Sequence, residues 1–176
     1  PFAFARAIWH YGRGVAHAAL GDPEAALIEL AAIEQLEPEV DEIFMGNVYP
    51  ARDLLGIAKA LLAGEMAYRA GDAATAVLAF EEAVAMQDAL PYTEPPFWYY
   101  PTRQSLGAAL LASNRLAEAQ AVFEEDLEQY PMNGWSMFGL AEALRRQGDE
   151  TGAEQMTARF KTVWQFADVS LATSIL

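Results

Sequence analysis

Two histidines, a glutamate close to a tyrosine and an arginine, and one proline-bounded run of aromatics are the residues here whose chemistry goes beyond packing. His10 and His17 lie seven residues apart, hence on one face of a helix but about 10.5 Å apart along an axis that rises roughly 1.5 Å per residue. One metal ion is not easily shared over that distance, and no HExxH motif or cysteine pair accompanies them. They are the only metal candidates, packing against a partner helix is their simpler role, and no cofactor is expected. Glu65 follows Gly64 and precedes Tyr68 and Arg69. A partly buried carboxylate there could serve as a general base, but an ion pair with a neighbouring arginine is the plainer expectation. Glu124, Glu125, Asp126 and Glu128 form an acidic run, expected to be the solvated face of a helix. No nucleophile with its base, Gly-rich phosphate loop or hydrolase-type carboxylate pair is present, so an enzyme is not expected.

The segment PYTEPPFWYYP, residues 91–101, holds four prolines and five aromatics: Tyr92, Phe97, Trp98, Tyr99 and Tyr100. The prolines forbid a continuous helix or a central strand. So many rings exceed what a solvated loop needs. They predict either a lid or groove wall, with Arg103 on the next turn as a planar donor, or a filler sealing the space between flanking elements.

The elements that would position these groups are helical hairpins. Turn markers Gly21-Asp22, Gly71-Asp72, Asn114-Arg115 and Gly148-Asp149 recur at offsets of 50, 43 and 34 residues, and Gly14, Gly64, Gly107 and Ala141 repeat the same offsets. Gly enters the left-handed conformation after a helix without steric cost, and an Asp carboxylate can accept from free amides of the next helix. The series is that of a 34-residue unit with one insertion after the first repeat and another after the second. Hairpins are expected at about 2–37, 51–90, 102–130 and 134–164, with insertions at about 40–50 and 91–101. A short helical turn is expected before Pro50. The tail DVSLATSIL either packs back or stays loose.

A 34-residue period resembles the tetratricopeptide repeat. Leu106-Gly107 stands at the family's Leu-Gly, Ala26, Ala76, Ala119 and Ala153 at its small position, Leu30, Phe80 and Phe123 at its large one, and Pro38 and Pro131 at its closing proline. Thr157 departs from the large position, as in a terminal repeat. ALPYTEPPFWYYPTRQSLGAALL and AIWHYGRGVAHAALGD are similar to the C-terminal part of a group of bacterial tetratricopeptide-repeat proteins, in which further hairpins lie upstream. Pro1 rather than Met at the start leaves open whether the chain is a fragment of a longer protein. The resemblance implies an all-α, right-handed superhelical solenoid of about four hairpins over residues 1–176, whose first helices line a concave groove. Its groove positions map to Ile8, Tyr11, Val15 and Ala18, to Leu61, Glu65, Tyr68 and Arg69, to Gln104, Ala108 and Leu111, and to Trp135, Phe138, Glu142, Arg145 and Arg146. Tyr11, Val15, Leu62, Pro101 and Ser105 stand where chaperone-tail binders carry Lys, Asn and Arg, so capture of a chaperone C-terminus is not expected.

Composition narrows the partners. Against 11 Lys and Arg stand 25 Asp and Glu, a net charge of −14. Nucleic acid and anionic membrane are therefore not expected as partners. The absence of cysteine excludes thiolate chemistry and leaves the compartment unread, with the cytoplasm favoured. The reading is a non-enzymatic scaffold holding a protein or peptide in the groove, with Tyr11, Glu65, Tyr68, Arg69, Arg103, Gln104, Trp135, Glu142 and Arg145 as contacts and Tyr92, Trp98, Tyr99 and Tyr100 as an aromatic lid. The alternative is the C-terminal section of a larger metal- or small-molecule-binding enzyme, its pocket completed by upstream repeats. Apolar ends at Phe2, Phe4, Phe160 and Trp164 add self-association through terminal hairpins as a further expectation.

Overall fold

A computed structural model of the chain describes residues 2–40 and 49–175. Eight α-helices follow one another there, with no strand among the described residues: α1 (Ala3–Ala19), α2 (Pro23–Leu36), α3 (Ala51–Arg69), α4 (Ala73–Asp88), α5 (Arg103–Ala112), α6 (Leu116–Gln129), α7 (Gly134–Gln147) and α8 (Glu150–Val163). Residues up to Tyr100 form one compact unit and those from Pro101 a second. The chain is all-α and built from helical hairpins.

The turn chemistry explains the hairpins. Each first helix ends on a residue with positive φ, Gly21, Gly71, Asn114 and Gly148. The next amide then reaches five residues back: Asp22 to the His17 carbonyl, Asp72 to Ala67, Arg115 to Leu110, at 2.9 Å, and Asp149 to Leu144 at 3.0 Å. Four spent carbonyl ends are thereby closed in one way. The second helices open on carboxylates that accept from backbone amides, Asp22 from Ala25, Asp72 from Thr75 and Asp149 from Gly152. The third turn differs. Arg115 has no capping side chain and instead grips Glu118 with two hydrogen bonds of 2.8 and 2.6 Å, placing an acid in the first turn where the helix dipole favours it.

In the first unit α1 packs on α2 and α3, and α3 on α4. Leu54, Leu55, Ile57, Ala58, Leu61 and Leu62 are all buried, so α3 is apolar round most of its circumference, the pattern of a central helix. Each such leucine contributes about 1.5–3 kcal/mol by burial. Between the two hairpins, the helical turn expected near 40–50 lies largely outside the described residues. Arg52 donates to the Val40 carbonyl at 3.0 Å, and Tyr49 sits edge-on between Phe4 and Phe97.

In the second unit α5 packs on α6 and α7, α6 on α7, and α7 on α8. Its hub is the Phe123 ring, which lies against both Gly107 of α5 and Gly139 of α7; a Cβ at either would collide with it. The acidic run of α6 is not wholly a solvated face. Asp126 is fully buried, because it falls three residues after Phe123 and seven after Ala119, in the stripe that faces the core. Glu124, Glu125 and Glu128 are exposed. The tail packs back: Ser174 and Ile175 are buried. Among the described residues no helix is long and apolar enough to cross a membrane.

Candidate functional site

Glu65 is buried on the inner turn of α3 and accepts a 2.5 Å hydrogen bond from Arg69 Nε one turn later. Burial pushes its carboxyl above the usual range, against the opposing pull of Arg69. Tyr68 beside it is half-buried and Arg69 is exposed. α7 carries a similar grouping. Arg145 donates to Glu142 at 2.8 Å, while Trp135 and Phe138, both half-buried, lean on the Trp164 and Phe160 rings of the last hairpin at 5.5 and 5.7 Å.

Tyr11, on α1, is buried under the aromatic segment. Trp98 meets it edge-on at 5.6 Å and is itself buried. The Tyr11 and Tyr99 hydroxyls are 3.2 Å apart. Burial, then the neighbouring Tyr100 and Tyr99, raises the Tyr11 phenol far above its ordinary range. Gln87 of α4 donates to the Tyr100 carbonyl at 3.1 Å and pins the strap from the other side. Tyr92 projects into solvent, its hydroxyl on Glu94 at 2.6 Å. The segment is thus a strap on the first helix of its own unit, with Phe97 on Tyr49 as its second anchor.

Arg103 and Gln104, expected as groove contacts, are buried in the second unit. Arg103 pairs with Glu125 at 2.8 Å. Gln104 takes its 3.2 Å hydrogen bond from Asn133 Nδ2, which also donates to Asp126 at 2.7 Å. Ser136 donates to the same Asp126 oxygen. Burial raises the Asp126 carboxyl, and the donors from Ser136 and Asn133 and the charge of Arg103 oppose it. Arg146 bridges backward from α7, donating to the Leu111 carbonyl at 2.8 Å and to Asn114 at 2.9 Å. Each histidine faces a carboxylate: His10 Nδ1 lies 2.6 Å from Glu29, and His17 is 4.0 Å from Asp22. Among the described residues no group of three or more metal-capable side chains gathers.

Besides the burial of Asp126, sequence reasoning missed two further features. Glu29 is buried between His10 and Arg13, with the Arg13 guanidinium 3.0 Å away and itself 4.5 Å over the Trp9 ring. The signal was its register, since Ala26, Glu29, Ile33 and Leu36 form one buried stripe. The other is a cleft of about 540 Å³ between α2, α3 and α4, floored by Leu30, Ala60 and Met86 and rimmed by Glu34, Asp53 and Lys59.

A family model described as tetratricopeptide repeat matches residues 105–159, spanning α5 to α8, and a second with that description matches residues 8–30. The chain carries tetratricopeptide repeats in these two segments. No curated protein and no solved structure matches the chain at a significant level. The family models fall on segments from both units, and the unmatched α3–α4 hairpin carries the same Gly-Asp turn and the same five-residue carbonyl closure. Tetratricopeptide repeats act in general as protein-interaction scaffolds, offering extended surfaces made of repeated helices.

Proposed function

We propose that this tetratricopeptide chain is a non-enzymatic scaffold that holds a protein or peptide segment on the first helices of its hairpins. One observation carries the reading: α3 and α7 each present an acid–arginine pair near their C-terminal ends, Glu65–Arg69 and Glu142–Arg145, with partly exposed aromatics on the same helix. Arginine and aromatic side chains are the groups that most often anchor a bound segment. Rigid helices hold them in place, so little ordering entropy is lost on binding. Taken unit by unit, Tyr68 and Arg69 would be the contacts of the first, and Trp135, Glu142 and Arg145 those of the second. The buried Tyr11, Arg103 and Gln104 would act by holding these helices and the aromatic strap.

The test is affinity capture on the immobilised chain followed by mass spectrometry. A recurrent partner that is lost on Arg69→Ala or Arg145→Ala, with helical circular dichroism unchanged, is the expected result. Retention of every partner by both variants would remove this site assignment.

A further inference from the structure

We propose that the first turn of α5 is the floor of a peptide slot within the second unit, and that residues 169–175 occupy it in cis, so an incoming segment binds by displacing them. The inference rests on the scaffold reading and names the kind of segment preferred: an extended one with a hydroxyl residue followed by a branched aliphatic.

Residues 167–175 form no helix or strand, yet the last of them are as buried as core residues, Ser174 at 1% and Ile175 at 5% exposure. Ser174 Oγ donates to the Gln104 carbonyl at 3.1 Å, seventy residues away in sequence. The other end is tethered where Trp164 Nε1 donates to the Val169 carbonyl at 2.8 Å, with Trp164 resting on Gly134 at the start of α7. The tail therefore runs from the first turn of α7 to the first turn of α5. Between its anchors exposure alternates: Ser170 and Ala172 are exposed, Leu171 and Thr173 half-buried. An irregular segment with alternate residues turned outward and its far end buried is held as a bound peptide is, not as a core helix.

The polar contact of the slot is a backbone one: Ser174 meets the Gln104 carbonyl, while the Gln104 side chain, 1% exposed, is engaged with Asn133. The tail after Asp168, VSLATSIL, bears no charged side chain. An uncharged segment enters a chain of net charge −14 without electrostatic penalty. A tethered tail competes with any free segment at an effective concentration on the order of millimolar, so the slot is closed to weak ligands and open to strong ones.

The probe is a fluorescein-labelled peptide of sequence VSLATSIL, titrated into the full chain and into Ile175→Glu by fluorescence polarisation. Placing a carboxylate in the buried Ile175 position unseats the tail. Binding to Ile175→Glu at least about tenfold tighter than to the unchanged chain, weakened when the peptide's second serine is replaced by alanine, is expected. A variant with native circular dichroism that ignores the peptide, or equal affinity for both chains, overturns the slot. Should Ile175→Glu lose its helical signal, Ser174→Ala decides: faster hydrogen exchange confined to residues 170–175 and a several-fold gain in peptide affinity support the slot, and no change in either overturns it. The two readings fail separately. Partner capture sensitive to Arg69 and Arg145 without peptide binding removes the slot alone. Peptide binding that survives both arginine substitutions, with no arginine-sensitive partner, leaves the slot and removes the wider scaffold surface.

Discussion

Two irregular segments fold back onto first helices, one in each unit, and they do so by different physics. The strap lays Trp98 on Tyr11 of α1 and Phe97 on Tyr49, building an aromatic cluster with ring spacings of 5.5 and 5.6 Å. The tail docks on α5 through the Ser174 hydroxyl, with Ile175 also buried. Large rings bury area that little can replace, so the strap belongs to the core. A single neutral hydrogen bond nets only about 0.5–1.5 kcal/mol, so the tail is a guest. The same position on a hairpin is permanently covered in one unit and provisionally covered in the other.

The largest effect is expected at Trp98. Trp98→Ala is expected to cost about 3–5 kcal/mol, seen as a lowered urea midpoint; a loss under 1 kcal/mol would make the strap as detachable as the tail. Next comes Tyr11→Phe. At neutral pH it loses about 1 kcal/mol with the hydroxyl contact. Above about pH 10, the phenol's ordinary value, the order changes. Because the folded phenol is raised, its contribution is complete below that value and is lost as pH climbs past it, since only the unfolded chain then releases the proton. The phenylalanine variant, lacking this liability at position 11, should lose less stability between pH 9 and 11 in denaturation measurements.

Asp126 provides the matching test in the second unit at the other end of the scale. Its carboxyl is also raised, from an ordinary value of 3.8, so the folded state holds the proton more tightly. Stability from this group is complete below that value and declines as pH rises through the raised one. Relative to Asp126→Asn, the unchanged chain should gain on the order of 1 kcal/mol as pH falls from 7 to 4; parallel pH profiles for the two would show that Asn133 and Ser136 fully offset the burial. The smallest effect is expected from Ser174→Ala, about 0.5–1 kcal/mol, with hydrogen exchange faster only in residues 170–175. A global loss there would make the tail as integral as the strap.

The all-α repeat construction was legible because its signals are local. A Gly-Asp pair ends one helix and starts the next with hydrogen bonds reaching at most five residues, so its meaning is contained in the few residues around it. Glu65 with Arg69 was legible for the same reason, being one helical turn apart. What escaped depends on long-range register. Asp126 hides in a run of acids whose average is hydrophilic, and only its spacing from Ala119 and Phe123 turns it inward. Glu29 is the same case among the alanines and leucines of α2. The pairing of Arg103 with Glu125 and the docking of Ser174 on Gln104 span 22 and 70 residues. No local pattern announces contacts at those separations.

The placement of Phe123 has a mechanical corollary. One ring serves as the bolt for both hairpins of its unit, bearing on Gly107 from one side and Gly139 from the other. Neither hairpin can peel away without withdrawing that bolt from its neighbour. A chain drawn out by its ends under force should therefore release α5 to α8 in one rupture event, with no halfway plateau at the 130–133 turn.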